Sequence, residues 1–150
     1  MNFFEVKFRS PMHLEELLSR AEKVRCKKHF LFLKHEISRK INRSMVSLLD
    51  GYCSQLSKYN SKFSSSLACW CVFLAEKKEF STAISLIGFT SGKKMLVLAS
   101  LDQKKSLELL KNNICYDALS IKPVALNSVN PNKLKEQFFR LVLFFTDNFL

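Results

Sequence analysis

Glycine and proline are scarce, three of each in 150 residues. That excludes collagen-like, linker-rich and disordered classes. The glycines stand at 51, 88 and 92. They satisfy neither the G-x-G-x-x-G nor the G-x-x-x-x-G-K-[ST] spacing, which removes the usual nucleotide-binding loops, though not every nucleotide site. No G-x-S-x-G nucleophile elbow is present. Long apolar runs are missing too. The N-terminal stretch is interrupted by Glu5, Lys7 and Arg9, so it has no signal-peptide core. Leu141 to Phe145 is far short of the ~18 apolar residues a membrane span needs. The expected protein is soluble and intracellular, in cytoplasm or nucleus, with no membrane association.

Paired cysteine ligands are also lacking. The five cysteines (26, 53, 69, 71, 115) are odd in number and contain no C-x-x-C. Cys69 and Cys71, two apart, point ~200° apart on a helix. They read as buried reduced thiols. His13, His29 and His35 sit near no consistent set of cysteines or carboxylates, so no metal and no cofactor is expected. The scattered acids suggest no acid–base pair; Glu15-Glu16 reads as favourable charge at a helix N-terminus.

What is present is a globular mix, 47% hydrophobic and 25% charged, of a length that makes one domain, 1–150. Alternation in residues 3–8 predicts a strand, stopped by Ser10-Pro11, which open a helix over about 12–24. HFLFL (29–33) predicts a buried strand. Ile37, Ile41, Leu48, Tyr52 and Leu56 give a helix to about 57, followed by a serine-rich loop over 57–66. SLACWCVFLA (66–75) is apolar almost all round. A helix from Phe80 stops at Gly88. Ser91 to Lys94 reads as a turn and Met95–Ala99 as a buried strand. A helix over about 102–111, a strand within 114–126 and a helix from Pro131 complete the chain. The order predicts an α/β fold: a small mixed sheet of about four strands packed with five to six helices.

Charge is the informative excess. Lys and Arg number 24 against 13 Asp and Glu, a net charge of +11, which favours an acidic partner. Residues 26–65 hold eight basic residues against Glu36 and Asp50. Arg39, Lys40 and Arg43 fall within about one helical turn and are expected to share a face suited to RNA phosphates. The competing reading is a solvated helix face. The all-round apolar helix is expected to be core or, with Trp70, Phe73, Leu74 and Phe80, to anchor a protein interface.

FLFLKHEISRKINRS (30–44), with its Ile41-Asn42 pair, FSTAISLIGF (80–89), and CYDALSIKPV with NPNKLKEQFFRL (115–141) together resemble one family. It is that of the kinase-binding subunits of the KEOPS (EKC) complex: the PRPK-binding protein and its fungal and archaeal relatives. Phe80, Ala83, Ile84, Ile87 and Gly88 fill that family's helical pattern, and Asp117, Leu119, Lys133, Leu134 and Leu141 fill its tail. Where many members carry an Arg-Ala-Ser-Gly-like stretch, this chain has Phe73-Leu74-Ala75-Glu76, followed by Lys77 and Lys78. The resemblance implies a non-catalytic subunit that binds the complex's small atypical kinase/ATPase and meets the other subunits only indirectly. It also implies help in presenting tRNA for threonylcarbamoyladenosine formation at position 37. On it, Arg39, Lys40, Arg43, Lys77 and Lys78 are expected to meet tRNA, and Trp70, Phe73, Leu74 and Phe80 the kinase. The rivals are a stand-alone basic RNA-binding module and a small enzyme.

Overall fold

The computed structural model describes residues 1–59 and 65–149. Along the chain run β1 (Asn2–His13), α1 (Leu14–Lys23), β2 (Phe30–Lys34), α2 (Arg43–Tyr59), α3 (Ser66–Ala75), α4 (Phe80–Ile87), β3 (Ser91–Ala99), α5 (Gln103–Leu109), β4 (Ala118–Pro123) and α6 (Pro131–Phe149). Short helical turns at Lys27–His29, His35–Lys40 and Leu110–Ile114 link them. The α/β class stands. The chain forms two compact units, Met1–Ser38 with Gly88–Val124, and Arg39–Ile87 with Ala125–Leu150.

The first unit holds the sheet, in the order β2-β3-β1-β4. It is not mixed: every neighbouring pair is antiparallel. Each strand–helix–strand passage, β1-α1-β2 and β3-α5-β4, returns a strand in the same direction, as such crossovers do. A strand from the other passage is inserted between the two, so direct neighbours oppose one another. One face buries Phe4, Val6 and Phe8 with Phe30, Phe32, Met95 and Val97 against Leu17 and Ala21 of α1 and Leu110 and Ile114. Each such apolar side chain contributes roughly 1.5–3 kcal/mol when fully buried.

Two local expectations change here. β1 continues through Pro11, and α1 begins only at Leu14. Pro11 lies where the β1–β3 register shifts between Lys7 and Met12, so the ladder requires no N–H from it. Ser91 to Lys94 is strand rather than turn, because Ser91 and Gly92 pair with His13 and Met12. Arg20 ties α1 to the start of β4. Its guanidinium donates to both Asp117 carboxylate oxygens at 2.8 and 3.1 Å, and to the Ile114 carbonyl at 3.2 Å. It also lies 4.3 Å from the centre of the Tyr116 ring.

The second unit is helical. α3 keeps its expected bounds: the Ser65 hydroxyl accepts from the Ala68 N–H, and Glu76 ends it in left-handed backbone, φ 54°. α2 starts six residues later than expected because Asn42 caps it, its side-chain oxygen accepting from the Met45 N–H at 2.9 Å. α2 runs to Tyr59; residues 60–64 of the expected serine loop, Lys62 among them, lie outside the described residues. Asn130 caps α6 in the same way through the Lys133 N–H, with Pro131 at its first position. Leu49, Trp70, Leu141 and Phe145 are fully buried. The rings of Tyr52 and Phe73 both stack on Phe145.

The cysteine reading is corrected. Cys53 of α2 and Cys69 of α3 are joined by a disulfide, Cα to Cα 5.5 Å. Spacing along the chain carries no trace of it, because the pair meets only when two helices pack side by side. Cys26, Cys71 and Cys115 are buried free thiols, as read.

Candidate functional site

The helical unit holds a polar cleft of about 460 Å³ between the 39–45 segment, the C-terminal end of α3 and α6. Its construction follows from caps. Arg39 and Lys40 end the short helical turn at 35–40, before Asn42 caps α2, so both project from chain outside an α-helix. The Arg43 N–H donates to the Asn127 carbonyl at 3.2 Å, which holds the approach to α6 beside this turn. α6 then lays Lys133, Glu136, Gln137 and Arg140 along the opposite wall. Ile41, Met45, Phe73 and Leu74 form the apolar floor.

The cations differ in availability. Lys40 Nζ donates to the Leu74 carbonyl at 3.3 Å, a lysine at a helix C-terminus. Arg140 pairs with Glu76. Arg39 and Lys133 are exposed in the cleft. On the same wall the buried Oε1 of Gln137 finds no hydrogen-bond donor among the described residues. An acceptor held in that state is satisfied by an incoming N–H, O–H or water. The arrangement suits a ligand that brings anionic groups to the rim and a donor to the wall. It places no nucleophile beside a base.

Of the residues read as meeting tRNA, the fold brings Arg39 and Lys40 into this cleft. Arg43 is exposed at the start of α2 and does not line it, so the three do not share one helical face as expected. Lys77 and Lys78 are exposed just beyond α3 and also lie off its lining. The sequence reading missed Arg140, Glu136 and Gln137 here, and used Lys133 only as part of the family tail. No pattern in the chain signals that 133–140 returns to residue 39.

The residues read as a protein interface separate more sharply. Trp70 is fully buried, and its indole N–H donates to Asp50 Oδ1 at 2.9 Å. Leu74 is buried and Phe73 half-buried. These belong to the core of the helical unit, because a helix apolar all round leaves no face for a partner once its neighbours are packed. Only Phe80, 42% exposed, is free to meet one. A different apolar surface is exposed: Phe138 and Phe139 of α6 with Leu134 and Leu48, around a groove of about 530 Å³.

Among the described residues no group of three or more His, Cys, Asp or Glu is placed to hold a metal ion. No helix of the described chain is long and apolar enough to cross a membrane. Neither a protein-family model nor a curated protein matches the sequence.

Proposed function

We propose that the chain is a non-catalytic subunit of a KEOPS-type assembly, working in cytoplasm or nucleus. It docks on the small atypical kinase/ATPase and helps recruit the tRNA whose position 37 receives the threonylcarbamoyl group. The observation that carries this reading is that α6 borders two chemically different surfaces. One is the cationic cleft with Arg39, Lys40 and Lys133, suited to phosphates. The other is the exposed apolar groove with Phe138 and Phe139, suited to a protein partner. The backbone at Glu76 is compatible with the resemblance. Many members of that family carry an Arg-Ala-Ser-Gly-like stretch where this chain has Phe73 to Glu76, and the backbone at Glu76 is left-handed, the geometry glycine adopts without strain.

In this reading the kinase contact shifts from Trp70 and Leu74 to the Phe138/Phe139 groove, with Phe80 as an outlying contact. The test uses two variants of the full chain. Phe138→Ser with Phe139→Ser should abolish co-purification of the kinase and leave tRNA binding intact. Arg39→Glu with Lys133→Glu should do the reverse and flatten the salt dependence of tRNA binding. Binding of tRNA with no kinase co-purifying from the native cell would favour the stand-alone RNA-binding module instead.

A further inference from the structure

The register of the sheet sets two lysines directly against each other: Lys7 of β1 opposite Lys94 of β3. The pair is of the close kind. The Val124 N–H donates to the Phe3 carbonyl. Alternation then directs the backbone of Phe3, Glu5 and Lys7 toward β4, and that of Phe4 and Val6 toward β3. Lys7–Lys94 is therefore a non-hydrogen-bonded pair, with Cα atoms about 4.5 Å apart. Like charges so placed destabilise a sheet.

A third lysine joins them. On β4, Ser120 stands opposite Lys7 and Lys122 opposite Glu5, so Lys122 is the diagonal neighbour of Lys7 on the same face. Lys7, Lys94 and Lys122 are exposed, and none of them makes an ion pair among the described residues. The one carboxylate on this part of the face, Glu5, lies 3.6 Å from His35. Three ammonium groups thus share one carboxylate, which stands opposite Lys122, and the Lys7–Lys94 pair keeps an excess of positive charge.

We infer that Lys7, Lys94 and Lys122 form a phosphate-binding site on the sheet, for the backbone of an RNA. This rests on the RNA-binding reading above and adds a contact on the sheet-bearing unit that the charge runs of the sequence do not reveal. The repulsion built into the pair is relieved when a phosphate sits between the ammonium groups, so the arrangement is favoured by its ligand rather than by the fold. RNA fits better than an anionic membrane. Inserting into a lipid interface takes several exposed apolar side chains beside the cations, and among the described residues of β1, β3 and β4 Leu119 is the one large exposed apolar side chain.

The test is tRNA binding by Lys7→Gln/Lys94→Gln across a salt series, with Lys104→Gln on α5 as a control for one lost exposed charge. The double variant should lose roughly tenfold in affinity at low salt, and its log–log salt slope should be shallower by about 1.5–2. Lys7→Arg/Lys94→Arg should retain binding. The melting temperature of the double Gln variant should hold or rise, since a like-charge pair is removed, and this separates lost binding from lost folding. If the double variant does not fold, Lys94→Gln alone is read by the same criteria, with a slope change of about 1. Unchanged affinity and slope overturn the site. So does binding of phosphatidylserine vesicles that is lost in the variant while tRNA binding is kept. Kinase co-purification is scored in parallel: its loss with an intact lysine effect defeats the assembly reading and leaves this site standing.

Discussion

Replacing Trp70 by alanine puts the core of the helical unit to the test. The side chain is fully buried in α3, and its indole N–H is held by the Asp50 carboxylate of α2 at 2.9 Å. Removing a buried Trp typically costs about 3–5 kcal/mol through lost transfer energy and the cavity left behind. The Asp50 carboxylate also loses a donor, and a hydrogen bond to a charged group is worth about 1.5–3 kcal/mol. Trp70→Phe keeps most of the buried area and removes only that bond, so it should lie toward the lower range. With a urea m-value of about 2 kcal/mol/M, Trp70→Ala should move the midpoint down by roughly 1.5–2.5 M, and Trp70→Phe by about 1 M. Far-UV circular dichroism follows the helices directly. A cycle of Trp70→Phe, Asp50→Ala and the double variant should show coupling of about 1–2 kcal/mol. A Trp70→Ala protein that keeps its midpoint but no longer binds a partner would refute the packing argument and restore Trp70 to an interface.

The remaining predictions are local. The Arg20 guanidinium holds the Asp117 carboxyl below its ordinary range; the stabilisation is therefore full above the ordinary carboxylate pKa of about 3.9 and lost as pH falls through the lowered value. Because the Asp117 side chain is 40% exposed, the effect should stay under about 1 kcal/mol, and Arg20→Gln should flatten that limb of the urea-midpoint profile. Burial pushes the thiols of Cys71 and Cys115 up to about 12 and raises that of Cys26. A thiol reagent at pH 8 should find almost nothing in the folded protein, three thiols after denaturation, and five after denaturation with reductant. Asn42→Ala should cost about 0.5–2 kcal/mol by uncapping α2, with Asn42→Ser restoring most of it in the same melt. Glu76→Gly should leave stability equal or higher by up to about 1 kcal/mol, since relief of left-handed backbone outweighs loss of an exposed ion pair with Arg140.

The fold was legible wherever local chemistry and tertiary packing agree. α3 starts at a serine cap and ends at a charged cluster, α4 ends before a glycine, and α6 begins at Asn-Pro; each boundary is written in a few adjacent residues. The course of β1 through Pro11 was not legible, because what tolerates the proline is a register shift against a strand some eighty residues away. The opposed lysines of β1 and β3 are invisible for the same reason: neither residue's neighbours reveal its partner. In the helical unit, Arg39 and Lys40 were legible as charge, but their companions Lys133 and Arg140 arrive by packing of a distant segment. Trp70 shows the limit from the other side. An all-round apolar helix states that it must be covered, and only the packing of α2 and α6 shows that this chain covers it itself.

Both compact units are assembled from two separated stretches of chain, and this orders events on the ribosome. β1 is made before its pairing partners, which lie near residues 91–99 and 118–123. At about 5–20 residues per second, the strand waits on the order of 5–20 s for its first neighbour. Meanwhile α2, α3 and α4 emerge and can pack on one another, although α6, which closes their unit, comes later. Non-local pairing of this kind folds slowly. For that interval Phe3, Phe4, Val6 and Phe8 form an uncovered apolar strand in the nascent chain, a segment that a chaperone would shield.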